Sequence, residues 1–227
     1  MDDAQAAARS AAAAAAVSLV EPGMTIGVGS GRAVWKVVSL LGERGDPVRA
    51  VVASSRTDEL ARGAGIEVVE LDGTFELDLA LDGADEVDAS LRLIKGGGGA
   101  LLREKIVVSA ARRFVVVAET DKWVERLGQN FRLPVEVVRF GWRDTRRRVA
   151  SLLPDAVLRL GADGESYVTD EGHFILDCAL PAEADLDALD AELKHLPGVV
   201  EHGLFLDLAE RALLGAPDGS VEVLERG

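Results

Sequence analysis

The chain reads as an α/β protein in which a Rossmann-like parallel-sheet domain carries a smaller, inserted ferredoxin-like α+β domain. Three observations predict this. From residue 20 to about 128, apolar strand candidates alternate with helical stretches, and each strand ends in a Gly, Ser or Asp cluster, the rhythm of a parallel sheet. After Leu133-Pro134 the order becomes strand, helix, strand, strand, helix, strand, which is the ferredoxin-like unit. The segment Val199 to Leu208 then leads back, so that the C-terminus rejoins the first sheet. The expected division is therefore 1–130 plus 206–227 for the sheet domain and 131–205 for the insertion.

In the first part, strands are expected at Thr25–Val28, Arg49–Val52, Glu67–Val69, Leu77–Leu81 and Phe114–Ala118. Helices are expected at Ala33–Leu41, Thr57–Gly63 and Ala100–Arg112. An earlier alanine-rich run, Ala11 to Val20, is read as the first helix. It is no secretory signal, because Asp2 and Asp3 stand where positive charge is wanted. In the insertion the strands are Val135–Val138, Ala156–Leu160, Gly172–Cys178 and Gly198–Glu201, with helices at Thr145–Leu153 and Asp185–His195. Ligands of such sheets sit at the carboxyl ends of the strands, where the loops converge.

Composition narrows the function classes. With 39 acidic against 25 basic residues and a net charge of −14, nonspecific binding to nucleic acid or an anionic membrane is disfavoured. An anionic ligand needs a local pocket of cations or aimed N–H groups. The single cysteine, Cys178, can form neither an internal disulfide nor a multi-thiolate metal site, which suits a reducing, cytoplasmic compartment. No metal-ligand spacing appears, and no apolar stretch reaches the roughly 18 residues of a membrane-spanning helix.

Four loops carry candidate chemistry. Gly27-Val28-Gly29-Ser30-Gly31-Arg32 follows a strand and opens a helix, where free N–H groups and the positive helix end attract an anion. It departs from the dinucleotide fingerprint at Arg32, and Ala53-Ser54-Ser55-Arg56-Thr57 holds no acidic ribose anchor. A small phosphate, a structural glycine turn and an NADP phosphate beside Arg56 all remain open on this motif alone. Asp82-Gly83-Ala84-Asp85-Glu86-Val87-Asp88 packs four acids behind a strand. Asp82 and Asp85 suit hydrogen bonding to a polyol and proton movement between its oxygens, whereas the plainer reading is a solvated turn capped by Asp88.

Lys95-Gly96-Gly97-Gly98-Gly99 joins a strand to a helix, so its four glycines can form a nest of N–H groups for a developing oxyanion, with Lys95 adding positive charge. Glu104 lies one turn into the following helix, favourable to the dipole in any case. Glu119-Thr120-Asp121-Lys122 supplies a further cation at the same sheet edge, and surface exposure is the alternative for Lys122. His202, with no cysteine or serine elbow beside it, is read as structural.

Taken together these loops resemble the A-type ribose-5-phosphate isomerase family. The D-G-A-D-E block and the K-G-G-G-G-A-L-x-R-E-K block carry the resemblance most specifically. Gly27 to Ala33, Ser54 to Thr57, Leu133 to Val138, Thr169 to Gly172 and Pro197 to Phe205 follow in the family's order. The resemblance implies an aldose–ketose isomerase that interconverts ribose 5-phosphate and ribulose 5-phosphate and needs neither cofactor nor metal. It implies Glu104 as the base between C1 and C2, Asp82 and Asp85 in ring opening and exchange between O1 and O2, and Lys95 at the enediolate. The glycine amides of Gly96, Gly97, Gly98 and Gly99 join Lys95 there. Substrate contacts are expected at Gly29, Ser30, Gly31, Arg32, Ala33, Ser54, Gly83, Ala84 and Lys122. A homodimer or homotetramer is implied as well. Two departures stand out. The family's phosphate loop reads G-x-G-T-G-S-T, whereas this chain has Ser30 for the first Thr and Arg32-Ala33 for Ser-Thr, and the family's first-helix lysine is matched by Arg9.

Overall fold

The computed structural model describes residues 3–226; Met1, Asp2 and Gly227 lie outside the described residues, and with them the expectation for Asp2. Helix α1 spans Asp3–Val17, and its buried Ala12, Ala13 and Ala16 pack on the sheet where larger side chains would hold it away. The main sheet is built from β1 (Thr25–Val28), β2 (Arg49–Val52), β3 (Glu67–Val68), β4 (Leu79–Asp82), β7 (Phe114–Glu119), β13 (Arg211–Gly215) and β14 (Val221–Glu225). Their order is β14-β13-β7-β4-β1-β2-β3, parallel throughout except for the antiparallel edge strand β14. The central strands are apolar on both faces, as a sheet covered by helices requires: every residue of β1 and β4 is buried.

Strands β1, β2 and β3 run outward in one direction from β1, while β4, β7 and β13 run in the other. The switch point therefore falls between β1 and β4, and the crevice beyond their carboxyl ends is where such a fold binds ligands. Helices α2 (Arg32–Arg44), α3 (Ser55–Gly63) and α4 (Leu101–Ser109) follow β1, β2 and the glycine run. Helix α4 stops three residues before the expected Arg112. Leu77 draws the chain off the helix, with the Leu77 N–H donating to the Ala110 carbonyl and the Arg112 N–H to the Leu77 carbonyl. For the same reason β4 starts at Leu79 rather than at Leu77.

A four-stranded antiparallel sheet has the order β11-β8-β10-β9, formed by β8 (Leu133–Val137), β9 (Val157–Leu158), β10 (Phe174–Cys178) and β11 (Val199–His202). With α5 (Trp142–Val149) between β8 and β9 and α6 (Leu186–His195) between β10 and β11, this is the ferredoxin-like arrangement. A third, small sheet pairs β5 (Glu86–Val87), β6 (Leu93–Ile94) and β12 (Leu204–Phe205) in the order β12-β6-β5, joining the segment after the acidic loop to the returning chain. Among the described residues no helix is long and apolar enough to cross a membrane.

Candidate active site

Asp82 is the last residue of β4 and is fully buried. Its Oδ1 accepts hydrogen bonds from the Gly83 N–H at 2.7 Å and the Ser30 N–H at 3.2 Å, which fixes the carboxylate across the switch point beneath the first glycine loop. Gly29 makes this possible. A Cβ placed on it would lie 1.9 Å from the Asp82 carboxyl carbon, so only glycine lets the two strand ends close.

Lys95 follows β6 and is 2% exposed. Its ammonium donates to the Gly83 carbonyl at 2.7 Å, stands 2.9 Å from Asp82 Oδ2 and 3.3 Å from Glu104 Oε2, and faces the Phe205 ring at 5.4 Å. Glu104, in the first turn of α4, is 5% exposed. Asp82 Oδ2 and Glu104 Oε2 are thus held from either side of the one ammonium.

Burial governs the electrostatics. It pushes the Glu104 carboxyl up to about 8, with the neighbouring Asp82 charge adding to it and Lys95 opposing. Burial also raises Asp82 above the usual carboxylate range against the pull of Lys95. Burial works against the Lys95 ammonium as well, but Asp82 and Glu104 outweigh it and push Lys95 up to about 12. A basic carboxylate beside a permanent cation in a water-poor recess is able to take a proton from carbon and steady the anion that forms.

Lys95 and Glu104 line one cavity of about 220 Å³ together with Ser30, Gly31, Arg32, Ala33, Gly83, Ala84, Asp85, Gly96, Gly97, Gly98 and Lys122, while Asp82 stands behind the wall against Lys95. Lys95 and Glu104 form its buried end; Arg32 is exposed and Lys122 half-buried. Asp85 Oδ2 accepts from the Gly97 N–H at 2.7 Å. Four expected site residues lie behind the wall: Asp82, which reaches it through Lys95, and three others. Gly29 sits under Asp82. Gly99 faces Tyr167, whose Oη would be 2.3 Å from an added Cβ. Ser54 caps α3, accepting from the Thr57 N–H at 3.1 Å, and reaches the cavity only through its 3.0 Å hydrogen bond with Ser30 Oγ.

Arg9 is spent on Glu119, with its Nε donating to Oε1 at 2.8 Å, so it borders the cavity through that carboxylate. Of the acidic loop, Glu86 and Asp88 serve structure. Glu86 accepts from the N–H groups of Gly128, Asn130 and Phe131, and Asp88 from those of Ser90 and Arg92. His202 is fully buried, 3.3 Å from Asp190. Trp35, Val117 and Glu119 also line the cavity, beyond the residues expected there. Their signal was positional, since Val117 and Glu119 end β7 and Trp35 lies on α2 one turn beyond Arg32.

The profile described as ribose 5-phosphate isomerase A (phosphoriboisomerase A) matches residues 49–219. This chain belongs to the ribose 5-phosphate isomerase A family. It is 50% identical over 220 residues to ribose-5-phosphate isomerase A of Roseiflexus castenholzii, covering 95% of this chain and 94% of the relative. It is 46% identical over 223 residues to that of a Synechococcus strain, covering 96% of each. Among solved structures, ribose 5-phosphate isomerase A of Methanocaldococcus jannaschii superposes with a TM-score of 0.90 at 36% identity, covering 96% of this chain and 98% of that one. A D-ribose-5-phosphate isomerase in complex with phospho-erythronic acid superposes with a TM-score of 0.91 at 36% identity over the same shares.

Proposed function

We propose that this chain interconverts ribose 5-phosphate and ribulose 5-phosphate through an enediolate, with Glu104 as the base. The observation that carries this reading is the row Asp82–Lys95–Glu104, whose Lys95 and Glu104 close the buried end of the cavity, with ion contacts of 2.9 and 3.3 Å to the ammonium. Asp82 and Asp85 assist ring opening. Glu104 takes the C2 proton of the open aldose, and the charge that develops on O1 is steadied by Lys95 and the amides of the glycine run. Glu104 returns the proton to C1 while the O2 proton passes to O1 by way of the aspartates, leaving a ketone at C2 and an alcohol at C1. The phosphate lies toward the exposed end, at Arg32, Lys122, Ser30 and the start of α2. The relative solved with phospho-erythronic acid supports this assignment, because that ligand pairs a phosphate with a carboxylate whose two oxygens mimic the enediolate pair.

Family membership and the buried single cysteine support a homodimer or homotetramer in the cytoplasm, which light scattering and cell fractionation test. The two larger sheets support division of the chain at 1–130 plus 206–227 and 131–205, since the strands of one all fall outside 131–205 and those of the other all within it. The deciding experiment is conversion of ribose 5-phosphate to ribulose 5-phosphate by the purified protein with no added cofactor. Absence of conversion at micromolar enzyme would overturn the assignment.

A further inference from the structure

None of the residues lining the cavity comes from the four-stranded sheet, yet that sheet grips the glycine run from behind. Arg159, just past β9, donates from Nη1 to the carbonyls of Gly96 at 2.7 Å and Gly97 at 3.2 Å. Tyr167 donates from Oη to the next carbonyl, Gly98, at 3.1 Å. Three consecutive carbonyls are thus bonded to two side chains of the insertion. Arg159 is itself held by both carboxylate oxygens of Asp177 on β10, and Tyr167 is tied to it by an N–H to Arg159 carbonyl bond of 3.0 Å. The guanidinium lies 5.9 Å from the Tyr167 ring.

We infer that Arg159 and Tyr167 are positioning residues for isomerisation, holding the carbonyls of Gly96, Gly97 and Gly98 away from the reacting oxygens so that no carbonyl of the run faces the developing charge. The inference rests on the proposed role of the glycine amides at the enediolate. Its physical basis is twofold. A glycine run samples many backbone conformations, and each carbonyl that turned inward would set a partial negative charge against the developing oxyanion. A bidentate, carboxylate-held guanidinium removes that freedom in advance and leaves its own positive charge behind the loop. Gly97 shows how the run is held, its carbonyl on Arg159 and its N–H on Asp85 at the cavity wall, while the Gly99 N–H closes back on the Gly96 carbonyl at 3.0 Å.

The test uses the full-length Arg159→Ala, Arg159→Lys and Tyr167→Phe enzymes. Because one directly acting oxyanion donor is worth about 100-fold to 1,000-fold in turnover, an indirect support should cost about tenfold or more in kcat for Arg159→Ala and severalfold for Tyr167→Phe, with KM nearly unchanged. Inhibition by phospho-erythronic acid should weaken in step with kcat rather than with KM. Hydrogen exchange of the Gly97 and Gly99 amides should quicken while the rest of the chain keeps its protection. Arg159→Lys, which keeps charge but loses the fork, should fall between. Wild-type kcat and wild-type exchange in both Tyr167→Phe and Arg159→Lys would overturn the inference even if Arg159→Ala failed to fold. So would a fall in kcat that merely tracked a loss of thermal stability across the variants. Failure of the underlying reading is separable, since it would show as unimpaired turnover in Glu104→Gln with Arg159 intact.

Discussion

Glu104 Oε2 stands 3.3 Å from the Lys95 ammonium in a recess that leaves Glu104 only 5% exposed, so the carboxylate is poised between a cation that favours its charge and a burial that opposes it. Replacing it with Gln keeps the shape and removes the base. General bases contribute about 100-fold to 10,000-fold, so Glu104→Gln should lose at least that factor in kcat while KM changes little, measured by steady-state formation of the ketose.

The same balance sets the pH profile. Glu104 must be ionised to accept a proton, and with its carboxyl raised to about 8, kcat/KM should climb with pH and level above about 8. Lys95, held up to about 12, should produce no falling limb below pH 10. For stability the sign is opposite. Below the ordinary value of 4.5, folded and unfolded states both hold the Glu104 proton. Between 4.5 and about 8 the folded state alone holds it, so stability declines as pH rises through that window. Thermal unfolding of Glu104→Gln across these pH values should show a shallower decline.

Arg32 occupies the first residue of α2 and lines the exposed end of the cavity where the family carries small hydroxyl residues. A charge-assisted contact is worth about 1.5 to 3 kcal/mol, so Arg32→Ala should weaken substrate affinity and inhibition by inorganic phosphate by about 10-fold to 100-fold. Unchanged phosphate inhibition would leave Lys122 and the backbone amides as the anion site.

Gly29→Ala should cripple the enzyme. The added methyl overlaps the Asp82 carboxylate, and overpacking of this kind costs about 1 to 3 kcal/mol even where neighbours have room to shift. A lowered Tm together with a lowered kcat is expected. A fully active Gly29→Ala enzyme would mean that Asp82 need not hold the position described.

Glu86 gathers three N–H groups of the 128–131 turn, at 2.5, 2.5 and 2.7 Å. Glu86→Gln sets an amide NH₂ among donors. Leaving a buried donor unsatisfied costs about 1 to 3 kcal/mol, which at roughly 2 to 4 °C per kcal/mol should appear as a loss of several degrees in Tm. Turnover should fall less than in Glu104→Gln.

Much of this was legible along the chain. The strands Thr25–Val28 and Arg49–Val52 stand at the expected residues, because an apolar run closed by Gly or Ser leaves little choice of boundary. Glu104, Asp85 and Lys95 line one cavity with Asp82 against Lys95 behind its wall, since the loops that carry them converge at the carboxyl end of β4. The small sheet was not legible: β5, β6 and β12 are two residues each, too short to carry a period, and their pairing joins distant parts of the chain. Nor was the division of labour in the acidic loop. Whether an acid meets a ligand or a backbone turn depends on what the fold brings beside it, as the partners of Glu86 on 128–131 make plain. Arg159 gave no signal at all, because the glycine carbonyls it holds lie 63 and 62 residues away in another sheet's loop.

The small sheet bears on how the enzyme is made. The Lys95 N–H donates to the Gly203 carbonyl, and β6 pairs with β12, so the backbone that carries Lys95 is completed by residues near the end of the chain. A ribosome must deliver the whole ferredoxin-like unit before those partners emerge. Until then the charged residues of the cavity exist without the frame that aims them, and a chain interrupted ahead of residue 203 would carry every acid and lysine of the catalytic row yet have no assembled site in which to use them.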